Sequence, residues 1–155
     1  MSTQILTVQY EFDFILIGIS SPSKDYKLGW ELNKELKLKL NRIDDVLKQK
    51  AAKSVPQQSE LIAPVDNGPN HAYSHYRHSD EEKGIEYDLV SNKSDSGLLI
   101  PEQKQADYFL IIRGVYSQAF GGNVLSIIRK MTNVQTAFSI DASKLKSKDF
   151  LIMND

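Results

Sequence analysis

The stretch LIPEQKQADYFLII, residues 99 to 112, sets a proline corner a few residues ahead of an Asp-Tyr step into an apolar run. Pro101 fixes its own φ and biases Ile100 toward extended backbone. The PEQK that follows suits one turn of helix, with proline in the first turn and a carboxylate near the positive end. From Asp107 onward, DYFLIIRG reads as a buried strand. At that junction Asp107 can accept backbone N–H bonds where the turn feeds the strand, and Tyr108 is placed to cover the sheet edge. Proline and aspartate at element boundaries ordinarily serve turn chemistry. One functional alternative makes Glu102 and Asp107 a carboxylate pair for general acid–base work, but no oriented partner or nucleophile accompanies them in the sequence; the other makes Ile100, Pro101, Glu102, Asp107 and Tyr108 a partner-binding corner.

Working outward, YEFDFILIGISS alternates at Tyr10, Phe12 and Phe14 and then turns continuously apolar, the pattern of a strand entering a buried sheet position. SSPSKDYKLGWELNKEL follows with serines and a proline at its head and Leu28, Leu32 and Leu36 on one helical face. Gly29 weakens the middle of that helix, so close approach to the sheet is expected there. In LKLKLNRIDD, residues 36 to 45, Leu36, Leu38 and Leu40 alternate with polar residues, which favours a strand over a continuing amphipathic helix. Residues 46 to 70 dissolve into Gln, Lys, Ser and three prolines, a long loop that is either an insertion or a functional flap.

Downstream, HAYSHYRHS and IEYDLVSNK flank the polar DEEKG and predict a hairpin. SQAFGGNVLSIIRKM carries Phe120, Val124, Ile127, Ile128 and Met131 at helical spacing and ends in Arg129 and Lys130, where positive charge suits the helix dipole. VQTAFSID is a closing strand, and SKLKSKDFLIM an apolar-ended tail that could pair on an edge or cover a face. The order strand, helix, several strands, helix, strand predicts an α+β fold: one mainly antiparallel sheet with two helices packed on one face. No internal repeat is visible.

A chain of 155 residues is expected to form one domain, 1–155. With 41% hydrophobic residues, 25% charged residues and a net charge of −1, the composition is that of a globular protein, and the overall charge points to neither nucleic acid nor an anionic membrane. Cysteine is absent, which excludes disulfides, thiolate metal sites and a cysteine nucleophile. FILIGI is apolar, but Glu11 and Asp13 precede it and no Lys or Arg occurs before Lys24, so no secretory signal is expected. No run approaches the roughly twenty apolar residues of a membrane-spanning helix, and the expected location is cytoplasmic.

LIPEQKQADYFLII, together with FDFILIGISS, DYKLGWELNKEL, YDLVSNK and the terminal LKSKDFLIM, is similar to the IPExxxVDY family of small bacterial proteins. The naming pattern falls on Ile100, Pro101 and Glu102, then three free positions, then Ala106, Asp107 and Tyr108. Ala106 stands where the family name carries valine, a change that touches packing alone. The resemblance implies no activity, substrate or catalytic residue, so function must be argued from residue chemistry.

His71, His75 and His78 are the only histidines and fall within eight residues. On a helix all three imidazoles would share a face and could hold zinc or nickel, whereas on the predicted strand His71 and His75 share one face and His78 the other. FGGN, residues 120 to 123, could form an anion-cradling nest ahead of a helix, or simply be a flexible helix start. Residues 24 to 53 hold nine Lys or Arg against five Asp or Glu, and residues 60 to 88 hold seven acidic against two basic residues. That asymmetry could serve self-association or nucleic-acid contact, but no stacking platform is interleaved with the basic run, so nucleic acid is not the expected partner. Trp30 is expected to be a core anchor.

No Gly-x-Ser-x-Gly elbow, Walker loop or metalloprotease helix is present. The expected function is therefore non-catalytic: an adaptor or regulatory domain that buries a sheet edge or apolar helix face against an unknown protein partner or, as a homodimer, against its own copy, with no cofactor and no membrane. The alternative is a small-molecule- or metal-binding sensor or enzyme domain in which the 46–70 loop works with Glu102, Asp107 or the histidines. RNA binding through the basic stretch is a third possibility.

Overall fold

The structure is a computed structural model and describes residues 14–48, 71–94, 97–114 and 118–141. Its elements run β1 (Ile15–Ser20), α1 (Asp25–Leu36), β2 (Asn41–Lys48), β3 (His71–Asp80), β4 (Ile85–Ser91), β5 (Lys93–Ser94), β6 (Gly97–Leu98), β7 (Tyr108–Gly114), α2 (Gln118–Arg129) and β8 (Thr136–Ser139). Six strands form one sheet in the order β2-β3-β4-β7-β1-β8, and every pairing in it is antiparallel. With two helices beside that sheet, the fold is α+β, as the periodicities predict.

Both faces of the sheet are buried, and the alternation of strand residues sorts them. Ile17 and Ile19 of β1, Tyr87 and Leu89 of β4, and Leu110 and Ile112 of β7 join Leu28 and Leu32 of α1 and Val124 and Ile128 of α2 in one cluster. Their neighbours Leu16, Val90, Phe109 and Ile111 point the other way and form a second cluster with Leu99, Ile100 and Ala106. The Ile-Pro-Glu corner thus contributes to the second face. Each fully buried side chain of this size stabilises the fold by roughly 1.5–3 kcal/mol.

The helices show why two glycines sit where they do. A Cβ at Gly29 would meet Leu89 and Tyr76 side chains at 3.9 Å, so α1 does run close over the sheet. Gly121 and Gly122 lie inside α2 and not ahead of it, which overturns the reading of FGGN as a nest before a helix. A Cβ at Gly121 would come within 3.0 Å of Ile15 Cδ1, so this glycine lets α2 approach β1.

The 36–47 segment is resolved differently from its alternation. Leu36 ends α1, Lys37 adopts the left-handed conformation at φ 58 and the Lys37 N–H donates to the Asn33 carbonyl. Leu38 and Leu40 are both buried ahead of a strand that begins only at Asn41. Because a helix cap and a link separate them, the alternate leucines mark no strand face. β2 runs through Lys48, so residues 46 to 48 belong to the sheet; residues 49 to 70 of the predicted 46–70 loop lie outside the described residues, as does the tail from residue 143.

Candidate functional site

The corner at 99–108 is held by a residue that sequence reasoning passed over. Asn92 is fully buried just after β4. Its Nδ2 donates to the Gln103 carbonyl at 3.0 Å and the Ala106 carbonyl at 2.9 Å, while its Oδ1 accepts from the Ile100 N–H at 2.7 Å. Its backbone N–H donates to the Asp107 carbonyl and its carbonyl accepts from the Leu99 N–H, each at 2.9 Å. The expected helical turn after Pro101 is instead two successive tight turns, Gln103 N–H to Ile100 carbonyl and Ala106 N–H to Gln103 carbonyl. A single asparagine closes them because it carries both donors and an acceptor.

Asp107 and Tyr108 extend this brace to α1. Asp107 accepts from the Ser21 N–H at 2.8 Å, so it ties down the connection between β1 and α1 and not its own turn. Its other oxygen pairs with Lys93 Nζ at 2.5 Å. Tyr108 lies in β7, between β4 and β1, where it is buried instead of covering a sheet edge. Its hydroxyl donates to the Ser23 carbonyl at 2.6 Å, and burial together with the charges of Asp25 and Asp107 pushes its pKa up to about 12. Glu102 is exposed on the corner, while Ile100 and Ala106 are buried in the second cluster. The motif positions therefore act together as a structural unit.

The histidines divide as a strand requires. His75 is buried and its Nε2 lies 2.7 Å from Asp88 Oδ1. His78 lies against Tyr87 on the opposite face, with ring centroids 5.7 Å apart and the ring planes tilted by 32°, and the His71 side chain lies outside the described set. Among the described residues no three metal-ligating side chains gather. Asp88 is instead the centre of an ion network: Arg77 Nε approaches it at 2.8 Å and Arg113 Nη2 at 2.7 Å, with Glu86 bridging both arginines. Burial raises the Asp88 pKa, but hydrogen bonds from His75 and Arg77 and the charges of both arginines outweigh it and hold the carboxyl below its ordinary value. Thirteen residues separate His75 from Asp88, so only the hairpin register could have revealed the pair.

The largest departure concerns Trp30. It is 62% exposed, and Tyr26 one turn earlier is 65% exposed. Helical geometry explains this: a step of two residues rotates by about 200°, so residue 30 faces away from the buried Leu28 and Leu32. Lys34 Nζ sits 5.5 Å from the Trp30 ring centre, a cation–π contact that keeps positive charge beside the ring. Lys24, Lys27 and Lys37 are also exposed on or beside α1, against one exposed acid, Glu35. The basic stretch does carry exposed aromatic rings. No helix among the described residues is long and apolar enough to cross a membrane. No protein-family model, curated protein or solved structure matches the chain.

Proposed function

We propose that this chain is a non-catalytic protein-interaction module and that the outer face of α1 takes an acidic, partly apolar segment of a partner protein. The observation that carries the reading is the pair of large aromatic side chains, Tyr26 and Trp30, exposed on consecutive turns of one helix. Aromatic residues dominate the energetics of protein interfaces because they bury much apolar area while losing few rotors. The surrounding lysines favour a negatively charged partner and would speed its approach.

The sheet edges support the choice of the helix. Among the described residues, β2 and β8 are the edge strands. β2 carries Arg42, Asp44 and Asp45, and its register shifts between Ile43 and Val46; β8 has only four residues. Charge, irregularity and shortness are the usual protections against pairing with another strand. Kinship with the IPExxxVDY proteins is proposed on the residues quoted above and lends this reading no activity.

The test is capture from native cytosol by the tagged full chain, quantified partner by partner, for wild type, Tyr26→Ala/Trp30→Ala and, as the control at the exposed leucine of edge strand β2, Leu47→Ala. A protein lost with the helix variant and kept with Leu47→Ala is then purified and titrated. Trp30 is the only tryptophan, so its burial at the contact would shift emission to the blue. Equal recovery with all three proteins, unchanged emission on titration, or recovery abolished by nuclease would refute the proposal.

A further inference from the structure

A cleft of about 520 Å³ opens beside the amino end of α1, lined by Lys24, Asp25, Arg42, Ser91, Lys93 and Tyr108 among others. That volume falls in the range of small-molecule sites, roughly 300–1,000 Å³. Its origin is visible in the strand registers. Ser91 pairs with Tyr108, and Ser74, the residue before the terminal His75–Val90 pair, lines the same cleft. Ser74, Ser91 and Tyr108 therefore form a row of hydroxyl-bearing residues across β3, β4 and β7. Two residues along the strands, the same face carries Tyr76, Leu89 and Leu110, which fill the space under α1. The cleft exists because serines replace bulky apolar residues at this end of the sheet.

Three cations stand around that floor on three separate elements: Lys24 at the start of α1, Arg42 on β2 and Lys93 on β5. Arg42 is braced by Asp45 at 2.8 Å and Asp25 at 3.6 Å, and Lys93 by Asp107 at 2.5 Å. These contacts use part of each cation's donor set and fix where the charge sits, which is how a binding site is organised before its ligand arrives. Arg42 and Lys93 remain about half exposed, at 52% and 51%. Lys24, the N-cap, makes no side-chain cap, but Asp25 accepts from the Tyr26 N–H at 2.7 Å, so a carboxylate already answers the positive end of α1 and the cleft's positive charge comes from its side chains. Counting Asp25 and Asp45, the lining carries a net charge of +1, and Asp107, paired with Lys93 from beside it, brings the local balance to zero.

We infer that this cleft binds a small phosphate monoester, its phosphate held among Lys24, Arg42 and Lys93 and its hydroxyl-bearing body resting on Ser74, Ser91 and Tyr108. Donors reaching in from three walls suit a tetrahedral anion, which presents oxygens in several directions, better than a planar carboxylate with two. Ser91 Oγ donates to the Lys93 carbonyl and the Tyr108 hydroxyl to the Ser23 carbonyl, so the floor offers acceptor oxygens to a ligand's hydroxyls, and the three lining cations disfavour a bare metal cation. The brace at 99–108 then has a task, since Asp107 sets Lys93 and Tyr108 forms part of the floor. The site is separate from the outer face of α1 and stands or falls independently of it.

The experiment is a titration of the isotope-labelled full chain with inorganic phosphate and with ribose 5-phosphate at constant ionic strength, followed by amide resonances. Saturable shifts at Asp25, Tyr26, Ser91 and Lys93, with ribose 5-phosphate the tighter ligand, support the site. Lys93→Met should weaken ribose 5-phosphate about tenfold, the scale of one charge-assisted hydrogen bond. Ser74→Leu/Ser91→Leu fills the floor and should abolish binding with the dispersion of the spectrum intact. If that variant does not fold, Ser91→Val alone must still weaken the ester more than it weakens inorganic phosphate. Shifts that rise linearly, that sodium chloride reproduces, that succinate matches in affinity, or that persist in the filled variant overturn the assignment.

Discussion

Replacing Asn92 by alanine should destabilise this protein more than any exposed change on the same corner. The substitution keeps the backbone bonds of residue 92 and deletes three side-chain bonds, to Ile100, Gln103 and Ala106, at 2.7 to 3.0 Å. Ile100 and Ala106 are themselves 0% exposed, so water cannot readily replace the lost partners. A net loss near 1 kcal/mol for each of the three hydrogen bonds, plus about 1–3 kcal/mol for buried groups left unsatisfied, gives a cost of about 4–6 kcal/mol. That is a large share of the roughly 5–15 kcal/mol that holds a domain together, yet it leaves a folded protein to measure. Urea unfolding at neutral pH should show a lower midpoint at unchanged slope, and the Ile100 amide should exchange with solvent far faster. A cost under about 1 kcal/mol, or an Ile100 amide as protected as before, would show that Asn92 does not carry the corner.

Trp30→Ala should change stability by no more than about 0.5 kcal/mol in the same assay, because the ring is 62% exposed, whereas a core tryptophan would cost about 3–5 kcal/mol. Gly122→Ala, with open space at its Cβ inside α2, should raise the melting temperature through a gain of about 0.5–1 kcal/mol. Gly114→Ala should lower it, since φ is +130 there and a Cβ would collide with the Gly84 carbonyl. For Asp88, a folded pKa below the unfolded value of 3.8 means its stabilisation is present above that value and lost as pH falls through the folded one. Denaturant melts between pH 5 and pH 2 should therefore show a steep acid limb that Asp88→Asn flattens, on top of a neutral-pH loss of about 1.5–3 kcal/mol for the weakened charge-assisted bonds, since Glu86 still pairs with both partly buried arginines. Tyr108, raised to about 12, is protonated in the fold after the unfolded phenol has ionised near 10, so its stabilisation disappears as pH climbs through that interval. Tyr108→Phe should shorten this alkaline decline, read by phenolate absorbance alongside unfolding.

What the sequence made legible follows from the range of the forces involved. Strands β1, β4 and β7 and helix α2 are fixed by periodicities of two and 3.6, which are local, and Leu28 and Leu32 face the sheet as their spacing required. The exposure of Trp30 was equally local and could have been read from its rotation away from those leucines. The start of β2 was obscured because Leu36, Leu38 and Leu40 satisfy a strand pattern while serving as helix end and buried link, a distinction made by the left-handed Lys37. Gly121 could be placed only once β1 was known to lie against α2.

Asn92, the Asp88 network and the hydroxyl row depend on register between strands far apart in sequence. In the chain each is an ordinary polar residue with no motif around it. The same distinction answers the question raised by the Ile-Pro-Glu corner. Its residues are conspicuous in sequence because proline, aspartate and tyrosine restrict backbone and turn geometry locally. Their consequence is remote: they set Lys93, the β1–α1 connection and one end of the sheet's hydroxyl row. A motif that works as a brace reads strongly and says little about chemistry, whereas the surfaces it positions read weakly and carry what chemistry there is. Substitutions at the corner should therefore move stability and the cleft together, while substitutions at Tyr26 and Trp30 should move neither and alter only what the helix face holds.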